Sequence, residues 1–285
     1  MGFTAADVKN LREMTGVGMM DCKKALAESD GNIDKAIEWL REKGLAAAQK
    51  KAGRIAAEGM AYAWVCPDCG VGSIVEVNAE SDFVAKNDLF VDYVHNVAKV
   101  VAKDAPADLD ALFACKYPGT DKTVLEEQND KVLVIGENIK VRRFAFFTDG
   151  ISVPYVHAGG KIGVLVNLET GLTAEQVETV GKDVAMQIAA ASPLAVSAEG
   201  LNPEVVEHER EVYRQKAREE GKPEQIIEKI AEGAVKKFCK DVCLLDQLYI
   251  RDDKMTISDL IKGAAKTIGE PITVVRFVRI QLGAE

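Results

Sequence analysis

A nine-residue phrase is written twice in this chain. Gly136-Glu-Asn-Ile-Lys-Val-Arg-Arg-Phe144 and Gly269-Glu-Pro-Ile-Thr-Val-Val-Arg-Phe277 agree at six of nine positions. Each phrase ends a similar series of elements. In the first, Met60–Val65 and Gly72–Val77 alternate as a strand hairpin, Asp88–Ala102 has helical spacing, and Ile139–Phe147 returns as a strand. In the second, Ile151–His157 and Ile162–Leu168 form the hairpin, Thr173–Ala191 the helix, and Ile272–Leu282 the closing strand. Self-similarity on this scale predicts two copies of one α+β subdomain, over 58–149 and 150–285, related by an approximate twofold axis.

The chain ahead of the repeat has a different period. Thr4 with Asp7 resembles a capping box, Val8 and Leu11 begin an apolar face, and Thr15-Gly-Val-Gly18 breaks the helix. A second helix starts at Met19. A third carries Ile33, Ala36, Ile37 and Leu40 and closes at Gly44. Residues 1–44 thus read as a three-helix bundle, and the Ala- and Lys-rich 45–57 as a linker helix. Inside the second copy, Pro203–Glu220 and Pro223–Lys240 are charged helical stretches separated by Gly221-Lys-Pro223. Ile227, Ile230, Ala234 and Phe238 make one stripe, and Val205, Val206, Val212 and Tyr213 supply its mate. Such a short connection predicts an antiparallel coiled-coil hairpin over about 203–240; two helices lying flat on the body are the alternative.

Charge limits the partners. The formal net charge is −9 and the pI about 5.1, so no direct nucleic-acid binding is expected, because that affinity comes from Lys and Arg on phosphates. Residues 1–54 carry ten basic against eight acidic side chains, a net of +2 that leaves −11 for the rest. A protein partner fits this balance better than a polyanion. No apolar run is long enough for a membrane, and the start lacks a basic flank followed by an apolar stretch. A cytoplasmic location is expected.

Six cysteines are too few for a disulfide framework in 285 residues. Cys66-Pro-Asp-Cys69 has the spacing of a zinc or redox turn, but no second pair completes four ligands and no helix follows it; a hairpin tip is the preferred reading. The histidines, His95, His157 and His208, fall in separate elements, and Gly16-Val-Gly18 lacks both the preceding strand and the Lys of a phosphate loop. No catalytic residues, metal ligands or cofactor are expected.

Two longer motifs carry a resemblance. Leu11-Arg-Glu-Met-Thr-Gly-Val-Gly-Met-Met-Asp-Cys-Lys-Lys-Ala-Leu26 is similar to the N-terminal signature of the elongation factor Ts family. Glu76-Val-Asn-Ala-Glu-Ser-Asp-Phe-Val-Ala-Lys-Asn87 resembles its second signature, with Ser81 where Thr is common. The resemblance implies a ubiquitin-associated-like helical domain, a core of two related subdomains and a coiled-coil insertion. It also implies a guanine-nucleotide exchange factor, not an enzyme, that binds the GDP form of elongation factor Tu and promotes GDP release during translation elongation. By that resemblance Arg12, Met19 and Met20 dock on the nucleotide-binding domain of elongation factor Tu. Ser81, Asp82, Phe83 and Val84 enter the same domain near its Mg²⁺ site, and His157, Gly159 and Gly160 meet another domain. Some members carry a further C-terminal helical module beyond the last core strand, which here is followed closely by Glu285. Whether the coiled coil contacts the partner or dimerises the complex stays open.

Three local expectations follow. A large apolar residue in a strand-to-helix turn is by default a core residue, yet the resemblance places Phe83 outward. Adjacent helix positions face different ways, so at least one of Met19 and Met20 is expected to be buried. Asp82 is expected to accept backbone amides and so fix the turn that presents Phe83. The rival to all of this is an adaptor whose bundle recognises a ubiquitin-like surface.

Overall fold

The computed structural model describes residues 2–284 as a mixed helix and sheet protein. Helices α1 (Ala5–Thr15), α2 (Met19–Glu28) and α3 (Ile33–Lys51) come first. Then follow β1 (Glu58–Val65), β2 (Gly72–Ala79), α4 (Asp82–Ala85), α5 (Asp88–Asp104), α6 (Leu109–Ala114), α7 (Val124–Ile135) and β3 (Lys140–Phe147). The second copy holds β4 (Ile151–His157), β5 (Ile162–Glu169), α8 (Ala174–Ala191), α9 (Pro203–Glu219), α10 (Glu224–Val242), β6 (Leu248–Tyr249), β7 (Asp252–Thr256), α11 (Ile257–Ile268) and β8 (Thr273–Gln281).

The repeat is structural down to single residues. The sheets run β1-β2-β3 and β4-β5-β8, antiparallel throughout, each with its second strand central. Gly136 and Gly269 end α7 and α11 in left-handed conformations, φ 88° and 94°. In both sheets the register slips at the same matched arginine: Arg143 faces Glu76 beside one bulge, and Arg276 faces Asn167 beside the other. The two sheets pack face to face through Ala61, Ala63, Ile74, Leu165 and Ile280. Small residues permit that approach; a Cβ on Gly72 would stand 2.4 Å from Ser152. Helix α5 covers the outer face of one sheet, and α8 with α11 covers the other.

This layering buries the central strand of the first sheet on both faces. Every residue of β2 is buried, because a helix lies on one side and a sheet on the other. Its polar side chains are therefore paired: Ser73 donates to the Ala98 carbonyl at 2.9 Å, and Glu76, fully buried, accepts from Arg143 Nε at 2.7 Å. Burying large side chains such as Phe90 and Tyr93 without residue exposure supplies about 1.5–3 kcal/mol each.

Two helical expectations change. Gly44 does not close α3, which runs on to Lys51, and residues 52–57 are not helical. Glycine is tolerated mid-helix there because α7 comes close: a Cβ on Gly44 would lie 3.4 Å from the Asn129 carbonyl oxygen. This contact joins the bundle to the first subdomain. In the insertion, α9 and α10 lie antiparallel, with Arg214 bridging to Glu228 and Arg218 to Glu224. The buried line on α10 is Ile227, Ala231 and Val235, whereas Ile230, Val205 and Val212 are exposed. Two helices without a third layer bury little, a narrow line on α10 and Ala217 on α9, so neighbouring apolar positions stay wet.

Candidate functional site

Helix α4 is a single turn between β2 and α5, and its faces divide sharply. Val84 is buried in the first subdomain core, whereas Phe83 is 83% exposed. Successive helical residues point about 100° apart, so anchoring Val84 inward throws Phe83 outward. The ring is an apolar knob on the surface, as the resemblance implied.

The turn is held rigidly, but not by Asp82. Glu137 accepts from the Glu80 N–H at 3.1 Å, the Ser81 N–H at 2.9 Å and the Ser81 hydroxyl at 2.7 Å. Ser81 in turn caps α4 by accepting from the Val84 N–H at 3.4 Å. Glu80 accepts from the Asn138 N–H at 2.6 Å and pairs with Arg54, tying in the chain that enters β1. Asp82 instead meets Lys86 at 2.9 Å on the surface, and that hydrogen-bonded ammonium holds its carboxyl below the usual carboxylate range. The amide-accepting role expected of Asp82 belongs to Glu137, because Asp82 already stands inside the helical turn with its side chain turned to solvent. Glu137 is the first acidic residue of the repeated phrase; its presence in both copies was the signal available.

The second group lies beside the first. His157 ends β4, and Ala158, Gly159 and Gly160 turn the chain into β5 with φ of 49°, 66° and 96°. Gly160 is buried on Met60, whose side chain also joins the core that anchors Val84. A Cβ on Gly160 would sit 2.6 Å from Met60 Cγ. Tyr155 Oη and His157 Nδ1 are hydrogen-bonded at 3.0 Å on the exposed side. The next residue, Lys161, is near enough to lower the Asp82 pKa further. The Ser81–Val84 and His157–Gly160 segments both pack on β1.

Gly160→Ala should cost about 2 kcal/mol of stability, from left-handed strain and displacement of Met60. Gly159→Ala, whose Cβ meets nothing within 4 Å, should cost about half that. Thermal melting of both variants checks the difference, and equal shifts would refute the role given to Met60.

The third group is on the bundle. Helix α1 ends at Gly16, φ 69°, and α2 begins at Met19 after Gly18. Arg12 is exposed, and both methionines are exposed, Met19 at 51% and Met20 at 75%. The expectation that one is buried fails because both stand on the first turn of α2, before its inward stripe of Cys22, Ala25 and Leu26 begins. Met14 is exposed as well, at 58%, although it stands one turn after the buried Leu11.

Chemically, these surfaces offer shape, apolar contact and a few charges. Among the described residues no group of three or more His, Cys, Asp or Glu side chains is placed to hold a metal ion. Cys66 and Cys69 occupy the tip of the β1–β2 hairpin. His95 stacks on Tyr62 at 4.1 Å, and burial lowers its pKa.

Residues 80–284 match the family described as Elongation factor TS. The elongation factor Ts of Syntrophotalea carbinolica is 51% identical over 286 residues, covering 99% of this chain and 94% of that protein. That of Clostridium perfringens is 49% identical over 283 residues, covering 99% and 93%. That of Lawsonia intracellularis is 48% identical over 297 residues and covers both chains completely. These relatives extend the similarity through the helical bundle.

Proposed function

The chain belongs to the elongation factor Ts family, and from this we propose that it is a guanine-nucleotide exchange factor that binds elongation factor Tu in its GDP form and speeds GDP release. It acts by protein–protein binding. The observation that carries this reading is the exposed Phe83 ring on a turn clamped from behind by Glu137. A rigid apolar knob loses little conformational freedom on docking, so most of its burial energy is available to select one partner conformation.

Exchange requires only differential binding. Whatever factor this chain weakens GDP by, GDP weakens this chain by the same factor. Mg²⁺ keeps several waters and few protein ligands, so a ring inserted near the partner's Mg²⁺ site displaces ligands or water at large cost to nucleotide affinity. Asp82, paired with Lys86 beside the ring, adds charge at the rim of that contact. His157, Gly159 and Gly160 meet a second domain of the partner. Arg12, Met19 and Met20 dock on the nucleotide-binding domain, where flexible thioethers adapt to an irregular surface and Arg supplies direction. The bundle is read as ubiquitin-associated-like and the α9–α10 hairpin as a coiled-coil arm able to dimerise the complex. No helix among the described residues is long and apolar enough to cross a membrane, and we place the protein in the cytoplasm.

The test is release of fluorescently labelled GDP from purified elongation factor Tu, with and without this chain. Acceleration by substoichiometric protein is expected; an unchanged rate despite measurable binding would favour the adaptor reading. Met19→Ala with Met20→Ala should weaken binding about tenfold at unchanged melting temperature, because each side chain buries only part of the roughly 1.5–3 kcal/mol available to a methionine. Titration of the partner by the double variant checks this.

A further inference from the structure

The β1–β2 hairpin ends in Cys66-Pro-Asp-Cys69-Gly70, at the far end of the strands from Phe83. Its backbone is closed by paired hydrogen bonds. The Cys66 N–H donates to the Val71 carbonyl and the Gly70 N–H to the Cys66 carbonyl, both at 2.9 Å. Gly70 adopts φ 71°, which turns the chain back into β2. Inside this loop the Cys69 N–H donates to Cys66 Sγ at 3.2 Å.

This N–H···S contact links the two cysteines, and their surroundings differ. Cys66 is held below the usual thiol range, chiefly by the Cys69 side chain and then by the Cys69 and Asp68 backbone, whereas the Cys69 thiol is pushed up by the same contact. Cys66, whose sulfur also accepts the Cys69 N–H, is thus the one more readily converted to thiolate. Cys66 is half-buried and Cys69 exposed. By contrast, Cys22 and Cys243 are buried, and burial pushes both thiols up, Cys243 to about 11.

We propose that Cys66 and Cys69 form a reversible dithiol–disulfide site whose co-substrate is a low-molecular-weight disulfide. The thiolate is the attacking species in such exchange. Cys66 attacks one sulfur of the reagent; its S–S bond breaks, and one thiolate leaves and takes a proton. Cys69 then loses its proton, attacks Cys66 Sγ, and expels the second thiolate. Two protein thiols are oxidised to one disulfide, and the reagent is reduced to two thiols. A four-residue turn holds its end Cα atoms within about 7 Å, and a disulfide spans about 4.4–6.8 Å, so the loop closes without moving the strands. The tip offers two sulfurs where a structural zinc site needs four ligands. Eight residues of extended strand put about 25 Å between it and the Phe83 turn, so neither assignment depends on the other.

The test equilibrates the full-length protein in buffers of graded oxidised to reduced glutathione, followed by acid quench, alkylation and peptide mass mapping. The peptide spanning both cysteines should lose two hydrogens with a single midpoint and regain them in dithiothreitol, while Cys22 and Cys243 stay reduced. Cys69→Ser should trap glutathione on Cys66, and Cys66→Ser should leave Cys69 at least tenfold slower to react. Full alkylation of the pair at the most oxidising ratio would overturn the proposal. So would faster reaction of Cys69 in the single variants, or a co-purifying zinc ion that bridges two chains and blocks both thiols. The wild-type titration decides the matter even if a variant misfolds.

Discussion

Phe83→Ala should slow catalysed GDP release about ten- to a hundredfold while leaving the melting temperature almost unchanged. The size follows from the roughly 1.5–3 kcal/mol that burial of a Phe supplies and the 1.4 kcal/mol that each tenfold requires. The absence of a stability effect follows from the ring being 83% exposed in the free chain, since surface truncations away from special features cost within about 0.5 kcal/mol. Stopped-flow release of labelled GDP and a melting curve check the two halves separately. A normal exchange rate with a large fall in melting temperature would reverse the assignment of Phe83 from docking to packing.

Glu137→Ala should damage both stability and exchange. Its carboxylate accepts three hydrogen bonds from the Glu80–Ser81 segment, and hydrogen bonds to charged groups are worth about 1.5–3 kcal/mol each before allowance for solvent. The site is only partly buried, so a loss of about 2–4 kcal/mol is expected, equivalent to roughly 5–10 °C in a chain of this size. Exchange should fall about tenfold, because a loosened turn must be ordered again when Phe83 docks. The decisive measurement is the double variant with Phe83→Ala. If Glu137 acts through the ring, the double variant exchanges no more slowly than Phe83→Ala alone. Additive losses would mean that Glu137 contributes by some other route.

Much of the scaffold was legible because repetition and period are local properties. Among the described residues, six of the eight strands and the long helices of both copies appear within a residue or two of their expected bounds. What went unread lies between them. Helices α6 and α7 and the short β6–β7 hairpin occupy segments with weaker or shorter periodicity, whereas α11, with Ile257, Leu260, Ile261 and Ala264 on one face, was legible and went unread. The single turn α4 carries no pattern, because four residues are fewer than two helical repeats. Its counterpart is missing from the second copy, where β5 leads through Thr170-Gly-Leu-Thr173 into α8. Duplication therefore explains the platform, and the departure from duplication marks the candidate site.

From residues alone came the repeated order of strands and helices, the three N-terminal helices, the antiparallel pair of charged helices and, through two long motifs, the family. Local spacing and residue type determine these, and both are written along the chain. Which side chains face outward was settled by packing across long separations. Val84 had to be anchored before Phe83 could be free, and Glu137 had to return on the α7–β3 connection to fix the turn after β2. Gly160 had to close on Met60 to bring the second turn beside the first. Those contacts join residues between 55 and 100 positions apart, and only the folded chain brings them within reach of one another.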